Sequence, residues 1–78
     1  MNEAMKSKMI DLAASYYANQ VCEEAAAHYE AAKAYGNKFE GAVQMAALVG
    51  IEEAEIKEYA WRKWGQAMQE AADELHYW

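Results

Sequence analysis

The sequence predicts an all-α protein, a three- or four-helix bundle with a long N-terminal helix and a helix-turn-helix-like hairpin. Three observations predict it. The 78 residues contain no proline, and four glycines at 36, 41, 50 and 65 supply nearly all the punctuation. Larger apolar residues recur with a mean spacing near 3.6, and no stretch alternates as a strand would. Eighteen alanines favour helix and let helices approach closely without building a thick core. A chain this short cannot divide its buried surface between two cores, so residues 1–78 are expected to form a single helical domain.

The first element is expected over residues 5–35. Ile10, Ala14, Tyr17, Val21, Ala25, His28, Ala32 and Tyr35 form its apolar stripe, with Asp11, Ser15, Asn19, Glu23, Glu30 and Lys33 on the other side. The pattern allows one long helix or two joined by a bend near Asn19. Gly36 would end it in the C′ position, and Asn37 to Glu40 has the N-x-x-E form of a capping box, opening a second helix over 38–49. That helix would bury Phe39, Val43, Ala46 and Val49. Gly50 would then turn the chain into a third helix from about Glu52, with Ile56, Ala60, Trp64, Met68, Ala71, Leu75 and Trp78 as its stripe. A glycine inside a helix costs about 1 kcal/mol relative to alanine, so Gly65 should kink this helix or split off a fourth from Gln66. The N-terminal helix is expected to pack antiparallel against the hairpin built on Gly50.

Composition bounds the partners. A formal charge of −6 and a pI near 4.7 set the molecule as a whole against nucleic acid and anionic membrane, and favour basic partners. No apolar run approaches the roughly 20 residues of a bilayer span, and no signal-peptide series is present, so the bacterial host cytosol is the expected location. Cys22, the single cysteine, has no internal partner and reads as a small packing residue. Three Trp and six Tyr against one Phe and three Leu suit an interface, where rings are dry at one end and wet at the other, and equally a small core packed with amphipathic rings.

Ala46, Gly50 and Ile56, four and then six residues apart, with Val49, Ile51 and Tyr59 around them, place small, turn and branched residues where two helices meet across a tight turn. Over residues 42–61 this segment resembles a helix-turn-helix unit. The resemblance implies a second helix that enters the major groove within a frame of Arg and Lys. Here those places hold Glu52, Glu53, Glu55 and Glu58, offset only by Lys57, for a net charge of −3 over residues 52–58. Electrostatics supplies nearly all non-specific DNA affinity, so no direct DNA binding is expected. Two readings stand: a solvated acidic face, whose first-turn acids the helix dipole favours, or a face that docks on a basic surface of another protein. Trp61 and Arg62, beside Lys63 and Trp64, form the one mixed basic and aromatic cluster. Trp64 lies on the apolar stripe, which leaves Trp61 as the ring for contact. Glu23, Glu24, Glu30, Glu70, Asp73 and Glu74 could extend the acidic surface.

No constellation for catalysis, cofactor or metal is found. His28 could pair with Glu24, and Asp73 with His76, but a di-iron bundle needs two E-x-x-H pairs and two more glutamates. Cys22 and His28 are nearly two turns apart, and no phosphate loop, zinc spacing or nucleophile elbow appears. In size, acidity, lack of such motifs and aromatic-rich helices, the chain is similar to small phage-encoded inhibitors of host machinery, among them anti-CRISPR proteins and DNA mimics. That similarity implies a non-catalytic inhibitor, monomeric or homodimeric, that covers a basic surface of a bacterial nucleic-acid-handling complex. Glu52, Glu53, Glu55, Glu58, Trp61 and Arg62 would carry the contact. A helix-turn-helix-derived dimeric transcription regulator and a self-associating structural module are the alternatives.

Overall fold

Among the described residues three helices form in chain order: α1 (Glu3–Ala25), α2 (Tyr29–Ala47) and α3 (Glu53–His76). The structure is a computed structural model that describes the backbone of residues 2–76 and the side chains of residues 2–73. Among the described residues no strand is present.

Helix α1 starts two residues earlier than the stripe predicts, because Asn2 caps it. Its Oδ1 accepts from the Met5 amide at 2.9 Å, satisfying a first-turn donor. The end of α1 corrects the sequence-based expectation. The chain breaks at residues 26–28, ahead of Gly36, and does so without glycine. Ala27 takes φ 62°, its amide donates to the Glu24 carbonyl at 3.0 Å, and the His28 amide donates to the Glu23 carbonyl at 2.9 Å. These are the two closing bonds of a Schellman cap, here with alanine in a left-handed conformation that costs an L-residue roughly 1–2 kcal/mol. Gly36 and Asn37 lie inside α2, so the expected C′ stop and capping box do not form there. Gly36 serves close approach instead. A Cβ at that position would come to 2.9 Å from Nε2 of Gln20.

Helices α1 and α2 run antiparallel, since Gln20 meets Gly36 and the Tyr17 ring meets Phe39 at 5.3 Å. Lys38 lies over the rings of Tyr16 and Tyr35, at 5.9 and 5.5 Å. The second turn forms as expected at Gly50, which adopts φ 83°. The Ile51 amide donates to the Ala46 carbonyl at 3.0 Å and the Gly50 amide to that of Ala47 at 3.1 Å, another Schellman pair. Ala46, Ile51 and Ile56 are buried around this turn. The Glu52 carbonyl then accepts from the Glu55 and Ile56 amides to open α3. The kink expected at Gly65 falls on its neighbour: Trp64 has φ −121° and ψ 16°, outside the helical region, yet the helix continues beyond it as one bent element.

Helix α1 is the centre of the molecule. Both α2 and α3 pack on it, and they touch each other only marginally. The core is thin. Alanines 13, 14, 18, 46 and 60 are buried with Phe39, Ile51, Ile56 and Met68, and among the described residues Ile56 and Met68 are the large side chains buried completely. The Cα trace measures 45 × 23 × 15 Å with a radius of gyration of 13.0 Å, against about 11.5 Å for a compact chain of this length. This plate-like shape leaves the outer surfaces of α2 and α3 to solvent. No helix among the described residues is long and apolar enough to cross a membrane.

Candidate partner-binding face

Asp11 fixes how α3 presents itself. The sequence pattern puts Asp11 on the polar side of α1, but its carboxylate turns toward α3. It accepts at Oδ1 from the Tyr59 hydroxyl at 2.9 Å and from Lys63 Nζ at 2.6 Å. Lys63 also lies 4.9 Å from the Trp64 ring and 5.8 Å from that of Tyr59, and the two rings meet edge to face at 6.4 Å. The Lys63 hydrogen bond, followed by that of Tyr59, holds the Asp11 carboxyl below the usual carboxylate range, and Asp11 in turn raises the Lys63 ammonium. The basic and aromatic cluster of the sequence is therefore divided. Lys63 is tied to α1 through Asp11 and Trp64 is half-buried against the core, whereas Trp61 and Arg62 are exposed.

All six residues expected to carry the contact are exposed: Glu52, Glu53, Glu55, Glu58, Trp61 and Arg62. At about 100° per residue, Glu55, Glu58 and Trp61 lie on the side of α3 away from the buried Ile56 and Ala60. Glu53 is the exception among the acids, because Lys57 Nζ pairs with it at 3.0 Å. Lys57 itself reaches back over the Tyr17 ring of α1 at 5.5 Å. Glu52, Glu55, Glu58 and Arg62 belong to none of the ion pairs among the described residues. Helix polarity accounts for Glu53 and Glu55, which lie in the first turn. It does not account for Glu58. Trp61 keeps 41% of its surface exposed, and its ring lies against the backbone at Gly65, where a Cβ would come to 3.8 Å from Cε3.

The other acidic positions are more engaged. Glu23 pairs with His28 Nδ1 at 2.9 Å, so the histidine's partner is Glu23 and not Glu24 as the helical spacing suggested. Glu70 accepts from Gln66 at 3.3 Å and Asp73 from Gln69 at 3.0 Å. Side chains of Glu74, Leu75 and His76, and all of Trp78, lie outside the described residues, and with them the expected Asp73–His76 pair.

Between α1 and α3, Ser15, Ala18, Asn19, Cys22, Trp64 and Ala67 line a cleft of about 250 Å³. Burial, and then the neighbouring Glu23, push the Cys22 thiol pKa up, which suppresses the reactive thiolate and suits the packing role expected for this residue. Sequence reasoning missed Asp11 and Tyr59 as the elements that orient the face. Nothing in the local pattern of either residue signals a contact across 48 positions.

Compared with family models, curated proteins and solved structures, the chain matches none.

Proposed function

We propose that the protein is a non-catalytic binding module of the inhibitor type, whose outer α3 face covers a basic, nucleic-acid-handling surface of a bacterial protein complex. One observation carries this reading. Glu52, Glu55 and Glu58 stand exposed on the helix that carries the exposed Trp61 and belong to none of the ion pairs among the described residues, while the nearby lysines pair with Glu53 and Asp11 and lie over the rings of Tyr17, Tyr59 and Trp64. Carboxylates freed in this way offer a basic surface the charge it would otherwise take from phosphates, and the ring adds apolar area at the centre of the contact. A phage-encoded, anti-CRISPR-like inhibitor is the biological setting that this chemistry fits, with the bacterial cytosol as its location.

The test is affinity capture from a bacterial lysate on the wild-type protein and on the E52K/E55K/E58K variant. The wild type should retain basic nucleic-acid-binding proteins that added duplex DNA displaces, and the variant should not. Equal retention by both contradicts the proposal.

The helix-turn-helix reading has the Gly50 turn in its favour, with Ala46 and Ile56 buried at the expected spacing. A dimeric regulator on this scaffold would retain duplex DNA in a low-salt gel shift. The acidic-face reading expects none retained.

A further inference from the structure

We infer that the Trp61 surface of α3 is a receptor for an arginine side chain of a basic protein partner; this rests on the proposed acidic docking face and names what its centre recognises. Three features of one helix face support it. The Trp61 ring is 41% exposed and lies along the helix against Gly65, a residue with no side chain to cover it. Glu58 lies one turn before Trp61, an (i, i+3) neighbour with about 5–6 Å between Cβ atoms, and Glu55 lies one turn before that. Both carboxylates are exposed and belong to none of the ion pairs among the described residues.

A planar guanidinium suits this arrangement because it stacks on an aromatic face while its N–H edge donates two parallel bonds to a carboxylate. An ammonium meets the same carboxylates as a point charge and gains less from the ring. Charge complementarity therefore brings a basic partner to α3, and the exposed Trp61 ring, one turn after Glu58 on the same face, selects arginine over lysine. A nucleic-acid base could also stack on Trp61, but its phosphates would have to approach Glu55 and Glu58, which electrostatics opposes.

The experiment titrates the 78-residue protein at low salt with an alternating glycine–arginine peptide, a glycine–lysine peptide of equal length and charge, and a thymidine oligonucleotide. Binding is followed at the Trp61 indole N–H resonance, assigned with Trp61→Phe, and by calorimetry. The arginine peptide should bind about three- to five-fold more tightly than the lysine peptide and shift that resonance, while the oligonucleotide leaves it in place. Trp61→Ala should abolish the preference without changing the affinity for lysine peptide, and Glu55→Gln with Glu58→Gln should weaken both peptides. Equal affinity for the two peptides, or a preference that survives Trp61→Ala, overturns the arginine receptor but leaves the acidic face standing if the glutamine variants weaken binding. Binding of neither peptide overturns both, and a shift of the Trp61 resonance by the oligonucleotide overturns the inference outright.

Discussion

Lys63 of α3 sets its ammonium 2.6 Å from Oδ1 of Asp11 on α1, the same oxygen that accepts from the Tyr59 hydroxyl. This junction turns Lys63 away from the outer face and leaves Arg62 as the cation beside Trp61. The Asp11 carboxyl is held down by these two donors, so its contribution to stability is present above the unfolded-state value, about 3.9, and is lost as pH falls through the lower folded value. The Lys63 value is raised, so its contribution holds below the unfolded-state value and is lost as pH rises through the folded one. Asp11→Asn should therefore lower the Tm modestly near neutral pH, and the gap to wild type should close in acid. Thermal unfolding followed by circular dichroism across the acid range checks this. A gap that widens in acid contradicts it.

Ala27 and Gly50 occupy equivalent left-handed positions in two Schellman caps. Ala27→Gly removes roughly 1–2 kcal/mol of backbone strain and returns about 0.5–1 kcal/mol through the greater freedom of the unfolded chain. The expected outcome is a gain of up to about 1 kcal/mol in urea unfolding. Gly50→Ala should lose up to about 1 kcal/mol by the same reasoning reversed.

Gly41 lies on the exposed face of α2, where a Cβ meets nothing within 4 Å. Gly41→Ala should stabilise by close to the full helix-propensity difference, about 1 kcal/mol. Gly36→Ala has the same propensity gain but must displace the Gln20 amide, so its gain should be smaller. Urea midpoints for the pair order the two effects.

Trp61 and Trp64 should respond unequally to truncation. Trp61→Ala should cost less, because the ring is 41% exposed and does not belong to the core cluster. Trp64→Ala should lose about 2 kcal/mol or more, because this half-buried ring packs on the core and its T-shaped contact with Tyr59 goes with it. Thermal unfolding of both variants separates them, and similar losses contradict the division of the two rings.

The same local physics explains what the sequence revealed and what it concealed. Gly50 was legible because a glycine between apolar helices has one common use, the left-handed turn. Trp64 could be placed inward because it falls on the apolar stripe with Ile56 and Ala60, which left Trp61, about 60° away around the helix, as the more exposed ring. The α1–α2 break was not legible, since the best helix former stands at the one position that must leave the helix, inside a run of alanines from 25 to 27. With that break hidden, Gly36 and Asn37 took on the look of a boundary, although Gly36 is small to admit Gln20. The acidic character of the start of α3 was plain from the sequence, but the pairing of Glu53 with a lysine that reaches α1, and the tie from Asp11 to Tyr59 and Lys63, depend on tertiary placement that no local pattern encodes.

The most direct test of the acidic docking face is an amide chemical-shift map of the ¹⁵N-labelled protein titrated with an unstructured basic peptide. The account predicts perturbations clustered over residues 52–62, greatest near Glu58 and Trp61. Perturbations spread evenly over Glu23, Glu24, Glu30 and Glu70 as well, or absent from α3, would contradict it.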